Sequence, residues 1–180
     1  ALQPDVVFFG GDLVNIRHSE LDEVATRLLK GIHAPVYAVI GNHDVGTYIQ
    51  DSLALPYAVS YKRLLAQQKA MGWSVLQDTT IYLKRGCDSI SLSGFAYNPD
   101  FKKERHDRDL PMSGADEGYC DVPADLYNIT LVHVPQHWEE ILRRGYGDLT
   151  LSGHTHAMQL KLRTGRGRGI SPARLIYPRW

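Results

Sequence analysis

Residues 5–44 read as a strand, a helix and a second strand, and that order decides how the two strands pair. "DVVFF", Asp5 to Phe9, is an apolar run closed by two glycines and a carboxylate. In "SELDEVATRLLKGI", Leu21, Val24, Ala25, Leu28, Leu29 and Ile32 recur at the i, i+3, i+4, i+7 spacing of one helix face. Ser19 and Asp22 stand at capping-box spacing, so the helix is expected to begin there. "PVYAVI" is a second apolar run and leads into "GNHD". Strands joined through a crossover helix lie parallel, so this segment is expected to form a βαβ unit.

Further along, "SYKRLLAQQKAMG" reads as a second helix, closed by Gly72. "WSVLQ", "TTIYLKR" and "DSISLSGFA" read as short strands, the last two paired in a hairpin around Arg85–Asp88. Residues 97–123 mix charge with proline and glycine and read as a long loop. "YNITLVHVP" is a buried strand ending at His133, "QHWEEILRRG" a short helix, and "DLTLSGHTH" and "MQLKLR" two more strands before a "GRGRG" turn. There is no internal repeat. The whole is expected to be one α/β domain over residues 1–180, with parallel strands early and antiparallel ones later.

Composition narrows the function classes. With 43% hydrophobic residues the chain can bury a core, and its formal net charge of zero gives no global pull toward nucleic acid or anionic membrane. Cys87 and Cys120 lack the spacing of a zinc finger or a disulfide framework. No stretch reaches the roughly 20 apolar residues of a membrane span. After Asp148 the charges are all basic, namely Lys161, Arg163, Arg166, Arg168, Arg174 and Arg179. That tail reads as a solvated segment that could meet an anionic substrate or lipid surface. The chain begins without methionine and stops at "IYPRW", and both ends read as cuts through a larger protein. Its location is left open between cytoplasm and membrane surface.

The chemistry sits where the apolar runs stop. Asp12 follows "VVFFGG"; Asn42, His43 and Asp44 follow "VYAVIG"; His133 follows "ITLV"; His154 and His156 follow "LTLSG". Ligands of open α/β sheets gather at the carboxyl ends of strands. In an extended segment residues i and i+2 share a side, so His154 and His156 are expected to face one cavity. Neutral imidazole is the commonest ligand of transition metals. Four strand ends, each delivering metal-competent side chains, read together as one metal site.

"GGDLVN", "GNHD", "LVHVP" and "SGHTH", in that order, resemble the calcineurin-like metallophosphoesterases. The "SGHTHAMQ" form is similar to bacterial broad-specificity phosphoesterases and UDP-diacylglucosamine hydrolases. The resemblance implies a central β-sandwich flanked by helices, with two divalent ions at the strand ends. It implies that Asp12 bridges both ions, that Asn42, His133 and His154 complete one site, and that His156 joins the other. His43 would face the substrate and stabilise or protonate the leaving oxygen, with Asp44 orienting it. The implied reaction is hydrolysis of a phosphate ester or pyrophosphate by a metal-bound hydroxide. Mixed nitrogen and oxygen ligands suit Mn²⁺, Fe or Zn²⁺ better than Mg²⁺ or Ca²⁺.

One departure bears on the ion count. The family's D-x-H motif should precede Asp12, and "ALQPDVVFFGG" does not contain it. The chain is therefore expected to be a fragment of the catalytic domain, cut at both ends. It is expected to hold at most one ion, to be a poor catalyst or inactive, and either to be marginally stable or to pair with a second copy across the gap left beside "DVVFFGG". The expected substrate is a small phosphorylated or lipid-linked molecule. Rival readings are a nuclease of the same superfamily, which zero net charge disfavours, and a non-catalytic scaffold, which the retained ligand set disfavours.

Overall fold

A computed structural model describes residues 3–46, 48–50, 56–97, 123 and 125–155. The expected strand "MQLKLR", the "GRGRG" turn, the basic tail, Trp180 and nearly all of the 97–123 loop lie outside them.

The βαβ unit is present. Strand β1 (Val7–Phe9) leads through helix α1 (Glu23–Lys30) to β2 (Val36–Ala38), and the strands pair in parallel with Val7 opposite Val36. Both are shorter than the apolar runs suggested. Pro35 has no N–H to give a ladder, so regular pairing begins one residue later; its carbonyl still accepts from Val7 N at 2.9 Å. Helix α2 (Tyr57–Ala70) then crosses to β3 (Ser74–Val75), which joins β2 in parallel. Gly72, at φ 83°, takes the left-handed conformation that ends α2, as its place in the sequence implied.

The second sheet holds β4 (Thr79–Arg85), β5 (Asp88–Phe95), β6 (Asn128–Val132) and β7 (Leu149–Ser152), in that order. The hairpin closes with Arg85 opposite Asp88, as expected. Among the described residues, the forecast of antiparallel strands late in the chain holds only for that hairpin. β5–β6 and β6–β7 are parallel, and helix α3 (Trp138–Arg143) provides the second of those crossovers.

Alternation along the strands builds the layers. Phe8, Tyr37 and Val39 from the first sheet meet Leu92, Ile129, Leu131 and Leu151 from the second, forming the core of a β-sandwich. The opposite face of the first sheet presents Val7, Phe9, Val36 and Ala38 to Leu21, Ala25, Leu29 and Leu64 of the helical layer. Phe95 and Val132 face Ile141 of α3 on the far side of the second sheet. Helices thus flank a two-sheet core.

The start of α1 differs from expectation. Asp22, not Ser19, is the N-cap, its carboxylate accepting from Ala25 N at 2.7 Å. Ser19 lies in a 3₁₀ turn, His18–Glu20. The apolar stripe of α1 is also wider than the sheet can cover: Val24 is 54% and Leu28 71% exposed.

Candidate metal centre

Parallel pairing sends the carboxyl ends of β1 and β2 to one edge, and those of β6 and β7 to the facing edge. The two edges meet at glycines. A Cβ on Gly11 would stand 2.6 Å from Nδ1 of His133, and a Cβ on Gly153 would stand 2.9 Å from the Gly10 carbonyl. A Cβ on Gly41 would collide with the Asp12 carboxylate. The glycines before Asp12, Asn42 and His154 thus let two backbones close on one point.

At that point Asp12, His133 and His154 bring ligand atoms within 4.8 Å of one another. His133 Nε2 lies 2.8 Å from Asn42 Oδ1 and 3.2 Å from Asp12 Oδ2. His154 Nδ1 lies 2.8 Å from the same Asn42 Oδ1. The other ends of these groups are tied back. His133 Nδ1 donates to the Gly10 carbonyl at 2.7 Å, so in the neutral ring Nε2 carries a lone pair. Asp12 Oδ1 accepts from His43 N at 3.0 Å, which turns Oδ2 toward His133. Asn42 Nδ2 donates to the Tyr48 hydroxyl at 2.9 Å, leaving Oδ1 to face both imidazoles.

Two imidazole nitrogens, a carboxylate oxygen and an amide oxygen therefore converge on a small volume. A cation relieves the mutual repulsion of those lone pairs. The donors thus fit a divalent ion. Burial alone would raise the Asp12 carboxyl, but the hydrogen bond and positive charge that a protonated His133 ring supplies, with the His43 amide, outweigh it and hold it below its ordinary value. An ionised Asp12 is the form that binds a cation. Asp12 and His154 also adopt φ of 60° and 64°, a left-handed conformation that costs energy for residues other than glycine. Strain of this kind persists where the surroundings over-determine it, and here it falls on two candidate ligands.

The Asp12 loop is held by two carboxylates. Asp44 is 2% exposed and accepts from the backbone N–H groups of Asp12, Leu13 and Val14 at 2.8, 2.7 and 3.2 Å, and from Gly41 at 2.9 Å. Glu20 accepts from the next three, Asn15, Ile16 and Arg17, at 2.7, 2.7 and 2.8 Å. Burial pushes the Asp44 carboxyl above its ordinary value; the Gly41, Val14 and Leu13 amides pull it down, and the Asp12 charge adds to the rise.

These contacts occupy both oxygens of Asp44 with backbone amides. The atom that orients the His43 ring is the Asn15 carbonyl, 2.6 Å from Nδ1. Asp44 is turned inward to the amides of the loop that carries Asn15. The half-buried His43 ring also stacks on Tyr48, with centroids 4.4 Å apart and planes 15° from parallel. Glu20, Asn15 and Tyr48 were not found by reading the sequence. Glu20 resembled part of a helix start, and no spacing marks a backbone carbonyl as a ring partner. His156 lies outside the described residues.

A groove of about 630 Å³ opens beside Asp12, Asn15 and His43 and runs along α1 over Leu13, Ala25, Leu28 and Leu29. Its polar lining is Asp12, Asn15, Glu20 and His43, and the rest of the lining is apolar.

Comparison with known proteins agrees with this arrangement. The chain is 26% identical to the uncharacterized protein YpbG of Bacillus subtilis over 88% of this chain and 53% of that one. It is 25% identical to the UDP-2,3-diacylglucosamine pyrophosphatase LpxG of Chlamydia trachomatis over 90% of this chain and 56% of that one. The chain thus spans about half the length of the curated relatives it matches. No solved structure matches it. The family model described as calcineurin-like phosphoesterase matches residues 1–158, and the chain belongs to that family.

Proposed function

We propose that this chain carries the catalytic site of a metal-dependent hydrolase of phosphate esters or pyrophosphates. The observation that carries the reading is the convergence of Asp12, Asn42, His133 and His154 from four strand ends, with Asp12, Asn42 and His133 each oriented by a second contact. A divalent ion held there would polarise a phosphoryl oxygen and lower the pKa of an attacking water. Family membership supports the same reaction class.

His43 binds no ion in this proposal. With Nδ1–H committed to the Asn15 carbonyl, Nε2 is the nitrogen left to exchange a proton with a leaving oxygen. Asp44 is a positioning residue that keeps Asp12 and Gly41 in register. For the whole protein we propose two ions bridged by Asp12, with His156 serving the second. Residues 1–180 give that second ion fewer ligands than the first, so one ion per chain is expected. β1 stands at an edge of its sheet among the described residues, and pairing of two copies there is also part of the proposal.

The groove along α1 supports a substrate with an apolar part beside its phosphate. LpxG is named for a diacylated nucleotide-sugar pyrophosphate. A panel of phosphomonoesters, phosphodiesters and nucleotide-sugar pyrophosphates, with and without acyl chains, tests this on the whole protein in Mn²⁺. Turnover of at least one class, lost in His43→Ala with metal retained, is expected. An ion-loaded protein that hydrolyses no member of the panel would instead be a scaffold, and DNA cleavage alone would make it a nuclease.

A further inference from the structure

Tyr48 touches both halves of the proposed site. Its hydroxyl accepts from Nδ2 of Asn42 at 2.9 Å, and its ring lies on the His43 imidazole. The local path explains the placement. Gly46 reverses the chain at φ 76°, its N–H donating to the His43 carbonyl at 3.3 Å. Ile49, 8% exposed, anchors the returning strand of the loop, and its N–H donates to the Gly46 carbonyl at 3.1 Å. Tyr48 is thereby carried back over the residues that precede the turn.

We propose that Tyr48 is a positioning residue that couples ion binding at Asn42 to the placement of the His43 ring; the proposal rests on the function proposed above. The hydroxyl restrains the outer edge of the Asn42 amide, so that Oδ1 stays between His133 and His154. The ring restrains His43 from the face, while the Asn15 carbonyl restrains it in the plane. A substitution that removes only the hydroxyl should therefore separate the two effects, since phenylalanine keeps the stack.

The test compares Tyr48→Phe and Tyr48→Leu with the wild type, all in the whole protein. Mn²⁺ affinity is measured by calorimetry, and turnover at saturating Mn²⁺ is measured on aryl phosphates of graded leaving-group basicity. Tyr48→Phe is expected to bind Mn²⁺ about 10-fold more weakly, the scale for losing a contact behind a metal ligand. Its turnover at saturating Mn²⁺ should fall less than that of Tyr48→Leu, with the leaving-group dependence of the wild type kept. Tyr48→Leu should lose the same affinity and also about 10-fold in turnover, part of the roughly 10²–10⁴ that a positioned acid contributes. That loss should grow as the leaving group becomes more basic. Wild-type affinity in Tyr48→Phe overturns the role at Asn42. An unchanged leaving-group dependence in Tyr48→Leu overturns the role at His43. A wild-type chain that binds no Mn²⁺ overturns the proposed function, and this inference with it.

Discussion

Asp44 and Glu20 perform the same task on adjacent stretches of one loop, under opposite conditions. Asp44 gathers the amides of Asp12, Leu13 and Val14, and Glu20 those of Asn15, Ile16 and Arg17. Six successive N–H groups are thus satisfied without helix or sheet. Asp44 is buried, and burial raises its carboxyl. Glu20 is exposed; its partial burial would raise it, but the amides of Asn15, Arg17 and Ile16 prevail and hold it below its ordinary value. Identical bonds therefore differ in worth. Water can replace a lost acceptor at Glu20, whereas at Asp44 every donor would be stranded.

The largest expected effect follows from that difference. Asp44→Asn puts an amide –NH₂ against backbone donors whichever way it turns, because each carboxylate oxygen accepts two N–H groups. A loss of about 3 kcal/mol, the scale for buried groups left unsatisfied, is expected in urea unfolding. Mn²⁺ affinity should fall with it, since Asp12 is carried on the released loop. Equal stability of Asp44→Asn and wild type would break the comparison.

Glu20→Gln should cost less, about 1 kcal/mol, because solvent competes for the exposed amides. Mn²⁺ affinity should stay near wild type, while turnover falls modestly through the Asn15 carbonyl. A loss as large as that of Asp44→Asn would show that burial is not what separates them.

Acid sharpens the contrast. A carboxyl whose folded pKa lies below its unfolded value adds stability that is present above the unfolded pKa and lost as pH falls through the folded one. Glu20 is in this class. The stability gap between wild type and Glu20→Gln should be full at neutral pH and close below the ordinary glutamate value. Thermal melts of both proteins across the acid range would show it, and a gap that widened in acid would refute it.

The smallest effect is the coupling. The two carboxylates hold consecutive parts of one loop, so the double variant Asp44→Asn/Glu20→Gln should depart from additivity by roughly 0.5 kcal/mol or more. Strict additivity would mean that the two stretches are held independently.

The contrast also shows what a sequence can carry. Asp12, Asn42, His133 and His154 were legible because each follows an apolar run, and parallel strands place such ends together. The hairpin at Arg85–Asp88 and the end of α2 at Gly72 were legible from local chemistry. Glu20 was not, because its partners are backbone amides, which every residue has, and only the loop path selects them. The same contact explains the misplaced start of α1: the Glu20 carboxylate is bound to Asn15, Ile16 and Arg17, and the capping falls to Asp22. The direction of β6 was hidden too, since its connection from β5 is long enough for either sense. The left-handed backbone of Asp12 and His154 has no signature in residue type.

The central claim is that four side chains from four strand ends hold one divalent ion. Calorimetric titration of the chain with Mn²⁺ tests it most directly, alongside Asp12→Asn, Asn42→Ala, His133→Ala and His154→Ala. The account predicts saturable binding of one ion by the wild type, and a large loss of affinity in each of the four variants. No saturable binding by the wild type, or wild-type affinity in the variants, would contradict it.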